Sequence, residues 1–299
     1  MQVAVGSMLY LWPRDHMEEF YRRVAESRAD IVYLGESVCE KRCLSTFEDY
    51  YRWAMVLREA GKQVVLSTLT LLESSFALKD VERYCLNGDF LVEANDMAAV
   101  QILVEHKLPF VIGSAINCYN AHSLEKLRKL GAVRWVMPVE LSRHWLEQIK
   151  SEQSNLGLPS IETEVLSYGY LPLAHSGRCF TTRYLNRAKD KCQLVCQQYP
   201  EGIKVRSQEG QEIFNLNGIQ TQSGTVYNLH SDRASMAGLV DICRLSAHSN
   251  QCLDWIEAFK SGASPSQPPE SQCNGYWHNI AGMDYRSRDS ANGDYRSWE

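Results

Sequence analysis

The chain has 299 residues, with 31 Lys+Arg against 36 Asp+Glu for a formal charge of −5, and is 44% hydrophobic and 22% charged. This composition excludes a disordered or collagen-like chain, and no apolar run approaches the roughly 18 residues a membrane helix needs. The length admits two domains or one α/β barrel, and the mild acidity leaves nucleic-acid binding only to a local basic patch.

The opening Met1-Gln2-Val3-Ala4-Val5-Gly6 lacks the basic flank and long apolar stretch of a secretory signal, so a cytoplasmic, reducing setting is expected. A strand is predicted over 2–7, followed by strands at 31–34, 63–68, 90–93, 109–113, 133–137, 162–166 and 240–246. Ile31-Val32-Tyr33-Leu34 and Phe110-Val111-Ile112 are apolar at consecutive positions, as in strands covered on both faces. Helical patterns separate them. Residues 45–60 begin with Ser45 and Glu48 at capping-box spacing and place Phe47, Tyr51, Ala54, Met55 and Leu57 on one stripe. Asp96 is expected to cap a helix over 96–106 and Ser249 one over 250–260, while Gly61 and Gly131 stand at helix stops.

Eight strands alternating with helices predict an α/β fold, a (β/α)8 TIM-like barrel. The rival doubly wound sheet usually carries a glycine-rich phosphate loop, and neither GxGxxG nor GxxxxGK[ST] is present. The alternation breaks at about 167–239, read as an insertion on the face where loops following strands lie. It holds hairpin-like pieces Ile203–Ser207, Glu212–Leu216 and Thr225–Leu229, broken by Gly210, Asn217-Gly218 and Gly224. The barrel domain therefore covers 1–260 with its insertion. Residues 261–299 form a linker rich in Ser and Pro and a polar tail in which Asp284-Tyr285-Arg286-Ser287 recurs as Asp294-Tyr295-Arg296-Ser297, expected to lack fixed structure in part.

Ten cysteines in a reducing compartment do not imply disulfides. Cys85, Cys118, Cys243, Cys252 and Cys273 are scattered and read as buried packing residues. Cys192 and Cys196 are four apart and on a helix would share a face. Cys179 follows the seventh predicted strand and Cys39 the second, and a barrel projects both loops to one rim. Three readings stay open. An iron–sulfur site built from four cysteines tolerates dispersed ligands. Structural zinc usually uses close pairs at both ends. Packing explains any one cysteine but not the clustering. Arg178, Arg183, Arg187, Lys189 and Lys191 against Asp190 give a local +4, which suits an anionic cluster, a solvated basic helix or an RNA-facing patch.

Strand ends also carry Glu36, Glu93, Asn95, Asn117, Glu140 and His175 toward the predicted barrel mouth. Protease signatures are weak: HExxH and GxSxG are absent, and the SxxK of Ser123-Leu124-Glu125-Lys126 reads as an N-cap.

The runs Tyr33-Leu34-Gly35-Glu36-Ser37-Val38-Cys39-Glu40-Lys41-Arg42, Leu171-Pro172-Leu173-Ala174-His175-Ser176-Gly177-Arg178-Cys179-Phe180, Lys189-Asp190-Lys191-Cys192 and Cys273-Asn274-Gly275-Tyr276-Trp277 resemble the collagenase-like peptidase family. Its members include RNA- and quinone-hydroxylation proteins, and the resemblance runs from the first strand to about Gly282. It implies a barrel-like fold with a [4Fe–4S] cluster on Cys39, Cys179, Cys192 and Cys196, with Cys43 a bystander. It further implies a heterodimer with a UbiU-like homologous subunit and a cytoplasmic, anaerobic role in O2-independent hydroxylation of the ring of ubiquinone precursors. A zinc-stabilised or RNA-modifying member of the same family is the alternative. With every iron held by a thiolate, electron transfer or bracing is expected rather than direct substrate binding.

Overall fold

A computed structural model describes residues 1–265 and 271–287. Six strand–helix units come first: β1 (Gln2–Val5), α1 (Arg14–Glu26), β2 (Ile31–Leu34), α2 (Phe47–Glu59), β3 (Gln63–Ser67), α3 (Ser75–Cys85), β4 (Leu91–Ala94), α4 (Met97–Glu105), β5 (Phe110–Ile112), α5 (Ala121–Lys129), β6 (Ala132–Val136) and α6 (Arg143–Asn155). After β7 (Glu162–Gly169) the insertion supplies β8 (Pro172–His175), α7 (Phe180–Tyr184), β9 (Ile203–Arg206), β10 (Glu212–Asn217), β11 (Gln220–Ser223), β12 (Val226–Asn228) and α8 (Arg233–Met236). The chain then returns through β13 (Ile242–Leu245), α9 (Cys252–Ser261) and β14 (Gln272–Cys273).

Parallel pairing runs from β1 through β7, and β13 pairs with both β1 and β7. Eight strands thereby close into a TIM-like (β/α)8 barrel, at the eight predicted places. Side chains alternate across each strand. Val32, Leu34, Leu66, Phe110, Ile112 and Trp135 pack outward against the helices. Ala4, Ile31, Tyr33, Val65, Val111, Val136 and Ile242 form a separate inner cluster. A charged layer shares that interior. Arg244 Nη1 donates to Glu93 at 2.6 Å and its Nε to Glu164 at 2.7 Å, while Arg134 Nη1 donates to the Tyr33 hydroxyl at 2.9 Å. These four charges are buried and tolerated because each has an opposite partner.

Helix starts follow local chemistry, sometimes one register from the sequence reading. The capping box of α2 is Thr46 with Asp49, not Ser45 with Glu48: Asp49 accepts from Thr46 N at 3.0 Å and is also engaged by Arg14. Asp96 caps α4 as expected. Asn120 caps α5, which places Ser123 inside the helix rather than at its cap. Ser249 accepts from Gln251 N at 3.3 Å, but the residue at the α9 cap position is Gln251. Gly61 and Gly131 adopt φ of 81° and 112° at the stops of α2 and α5.

The insertion differs from its predicted hairpins in two strands and one pairing. β8, β11, β10 and β9 form a four-stranded antiparallel sheet in that order, with β8 and β11 unforeseen. The Thr225–Leu229 piece supplies β12, which instead extends the barrel sheet beside the end of β7. Within 261–299, expected to lack fixed structure in part, residues 271–287 are structured. There β14 pairs with β12, and Trp277 is 1% exposed with its Nε1 donating to Ser235 Oγ at 3.0 Å. A large indole with a bonded N–H is enough to anchor a short segment. Linker residues 266–270 and the second copy of the repeat lie outside the described residues. Among the described residues, no helix is long and apolar enough to cross a membrane.

Candidate functional site

Cys39, Cys179, Cys192 and Cys196 line one cavity of about 20 Å³, together with Lys41, Arg42, Thr181, Thr182 and Lys189. Cys39 reaches it from the loop after β2. Gly35 opens that loop at φ +143°, where an added Cβ would lie 2.2 Å from Ser67 O, so the close passage of the loop over β3 requires glycine. The Glu36 carboxylate then accepts from the N–H groups of Val38 and Cys39, at 2.8 and 3.1 Å. Glu36 is thus used to shape the thiol loop and is absent from the barrel-mouth lining. Burial pushes its carboxyl pKa up, and pushes the Cys39 thiol up to about 11.

Cys179 occupies the N-cap position of α7, whose start is tied to the β10–β11 turn by Phe180 N donating to Gly218 O at 2.9 Å. Cys192 and Cys196 do not share a helix, which corrects the helical-face argument. Gln193 and Leu194 take left-handed φ of 48° and 52° between two short 3-10 turns. The reversal still brings both residues to the cavity wall. Among the described residues, no three His, Cys, Asp or Glu side chains close on a single-ion site. Cys43 is exposed and does not line the cavity, and Cys85, Cys118, Cys243, Cys252 and Cys273 are buried.

Arg42 is the residue here that sequence reasoning passed over. It is 3% exposed, donates to Leu9 O at 2.6 Å and to Asn217 Oδ1 at 2.7 Å, and its guanidinium beside Cys196 partly offsets the upward push of burial on that thiol. Gly218 accommodates it, since a Cβ there would meet Arg42 Nη2 at 2.7 Å. Lys189 pairs with Glu73, and Lys41 donates to Lys189 O at 3.1 Å. Arg178, Arg183, Arg187 and Lys191 are exposed.

The barrel mouth is a second concavity. An inner chamber of about 60 Å³ and an outer one of about 680 Å³ share Thr70, Asn95, Ser114, Val139, Pro172 and His175 in their walls. Glu93, Asn117 and Glu140, expected at the mouth, line one chamber or the other. Burial lowers the His175 pKa to about 4, keeping the imidazole neutral. A buried amide ladder links the two concavities: Arg42 to Asn217, Asn217 Nδ2 to Gln220 Oε1 at 3.4 Å, and Gln220 Nε2 to His175 Nε2 at 3.0 Å. The signal for it was the alternation of Asn215, Asn217, Gln220 and Gln222 along the hairpin, which period 2 places on one face. Polar alternation ordinarily marks the solvent face, and here that face is buried.

The model of peptidase family U32 matches residues 16–246, a span containing all four cavity thiols. The tRNA hydroxylation protein P of Escherichia coli (strain K12) is 25% identical over 177 residues, covering 56% of this chain and 38% of that protein. The match thus spans well under half of the relative's length. Among solved structures, the U32 peptidase Mk0906 gives a TM-score of 0.45 at 13% identity, covering 83% of this chain and 93% of that one. Tryptophan synthase of Mycobacterium tuberculosis gives 0.47 at 11% identity, covering 89% and 93%.

Proposed function

The chain belongs to peptidase family U32, and from that premise we propose that it is the iron–sulfur subunit of an O2-independent hydroxylase acting on the ring of ubiquinone precursors, paired with a UbiU-like homologous subunit in an anaerobic cytoplasm. The observation that carries this reading is the single cavity lined by Cys39, Cys179, Cys192 and Cys196. Those are the four positions at which the chain's motifs resemble UbiV proteins. Similarity to a protein named for tRNA hydroxylation supports hydroxylation as the reaction class. Proteolysis is not proposed, since HExxH and GxSxG are absent from the sequence.

The donor set fits the cofactor. Four soft thiols with Lys41, Arg42 and Lys189 around one cavity suit an anionic [4Fe–4S] core. Bound there, such a cluster supplies one-electron transfer. The chain's own residues prepare the place. Glu36 fixes the backbone entering Cys39, α7 fixes Cys179, and Arg42, held by Leu9 and Asn217, keeps a cation against Cys196.

Protein purified without oxygen is expected to be brown and to hold about four irons and four sulfides per chain, the composition of a [4Fe–4S] core. Cys179→Ala should abolish that content and Cys43→Ala should leave it intact. Colourless protein with one tightly held zinc would instead support the zinc-stabilised reading. A second substrate reading, a base in RNA, is favoured by the relative's name and by the exposed Arg178, Arg183, Arg187 and Lys191. It requires RNA binding that weakens with salt and with neutralisation of those four side chains; unchanged binding removes it.

A further inference from the structure

We propose that the barrel mouth of this chain is a separate ligand site for an uncharged aromatic ring bearing an acceptor oxygen, which His175 holds through its Nδ1–H. The proposal deepens the ring-hydroxylation reading and rests on it.

The argument starts from Gln220, which is 1% exposed. Its Oε1 accepts from Gln222 Nε2 at 2.8 Å and from Asn217 Nδ2 at 3.4 Å. The Gln222 amide is itself oriented, because its Oε1 accepts from the Tyr10 hydroxyl at 2.7 Å and from Asn215 Nδ2 at 3.0 Å. The Gln220 carbonyl is therefore taken, and the end facing His175 is the NH2 group, which can only donate. His175 Nε2 must then be the accepting nitrogen. A neutral imidazole carries one N–H, so the proton stands on Nδ1. Strand pairing fixes this arrangement, since Gln220 lies opposite His175 in the β11–β8 register.

His175 lines both chambers, and among the described residues its side chain bonds to Gln220 alone, so Nδ1–H is free to meet a ligand. Arg244 lines the inner chamber with its buried Nη2 also unpartnered among the described residues. An acceptor oxygen answers those donors. The body of the ligand is read from the walls, where Leu9, Val136, Val139, Leu166, Ile116 and Pro172 offer apolar surface suited to a ring. Its charge is read from the ionised groups. Arg244 is already matched by Glu93 and Glu164, and Asp96 and Glu140 add acidic groups to the outer chamber, so a carboxylate is opposed and a neutral ring is not.

The test uses full-length protein prepared without oxygen and equilibrium dialysis against methyl 4-hydroxybenzoate, with 4-hydroxybenzoate as the charged counterpart. The ester should bind and the acid should bind more weakly. An asparagine amide nitrogen falls near the position of Nδ1 and a glutamine's near Nε2. His175→Asn should therefore keep ester affinity within about threefold, whereas His175→Gln and His175→Phe should lose about tenfold or more, the worth of one buried hydrogen bond. Gln220→Glu replaces the donor by an acceptor, moves the imidazole proton to Nε2, and should weaken the ester about as much. No ester binding, tighter binding of the acid, or undiminished binding by His175→Gln and His175→Phe would overturn the proposal. Iron and sulfide content, measured on the same samples, tests the cluster assignment independently of ring binding.

Discussion

Arg244 reaches across the barrel from β13 to carboxylates on β4 and β7, its guanidinium 3.9 Å from the Tyr33 ring centroid. Glu164 is fully buried and Glu93 nearly so, and Arg244 is the nearest cation to both. Arg244→Met fills similar volume but leaves Glu93 with only the neutral Ser67 and Asn95, and Glu164 with Tyr33 and the more distant Arg134. It should lower the unfolding free energy by about 3–5 kcal/mol in urea titration, the usual result of removing one partner of a buried pair. A loss below about 1 kcal/mol would show that water reaches those carboxylates in the native state. Of this network the sequence offered only Glu93, as a group at a strand end; a single Arg within Ile242–Leu245 carries no sign of its partners.

At the scale of elements, the barrel strands were legible because covered strands write themselves as short apolar runs between helical patterns. Barrel topology pointed Cys39 and Cys179 toward one rim, whereas the helical-spacing argument for Cys192 and Cys196 was wrong. Cys192 and Cys196 meet through two left-handed residues at 193 and 194, a backbone state that non-glycine sequence does not announce. β8 and β11 were missed because Pro172 and the glutamines of 220–223 carry weak strand preference, and the sheet exists by pairing with its neighbours. Which part of 261–299 is structured was not legible, because polar composition masks the anchoring role of one tryptophan. Trp277→Ala should cost about 3–5 kcal/mol, the range for deleting a buried large aromatic. Thermal unfolding of the variant checks it, and an unchanged midpoint would show that β14 is held by its backbone pairing.

For the molecule as a whole, the half-buried His175 and the buried His248 set part of the acid response. His175 and His248 are each lowered from 6.5 to about 4, burial being the largest cause. Between those values the unfolded chain binds protons that the native state refuses. Stability contributed by each histidine is therefore present above about pH 6.5, falls as pH drops toward 4, and is flat below, with a slope of up to about 1.4 kcal/mol per pH unit. His248 packs on the Tyr168 and Tyr170 rings, away from both cavities. His248→Gln should remove its share, so the wild-type advantage over the variant should shrink on acidification through that window. Urea midpoints at several pH values measure it, and a parallel offset at every pH would assign the effect to packing alone.

The barrel is sealed by Ile242–Leu245, which joins β1 to β7. All four cavity cysteines precede that strand, so during synthesis the ribosome delivers every thiol before the cylinder is shut. A product arrested between residues 197 and 241 would own the whole donor set on an open sheet with two raw edges, at β1 and β7. Such a fragment is primed to stick to other chains rather than to finish itself.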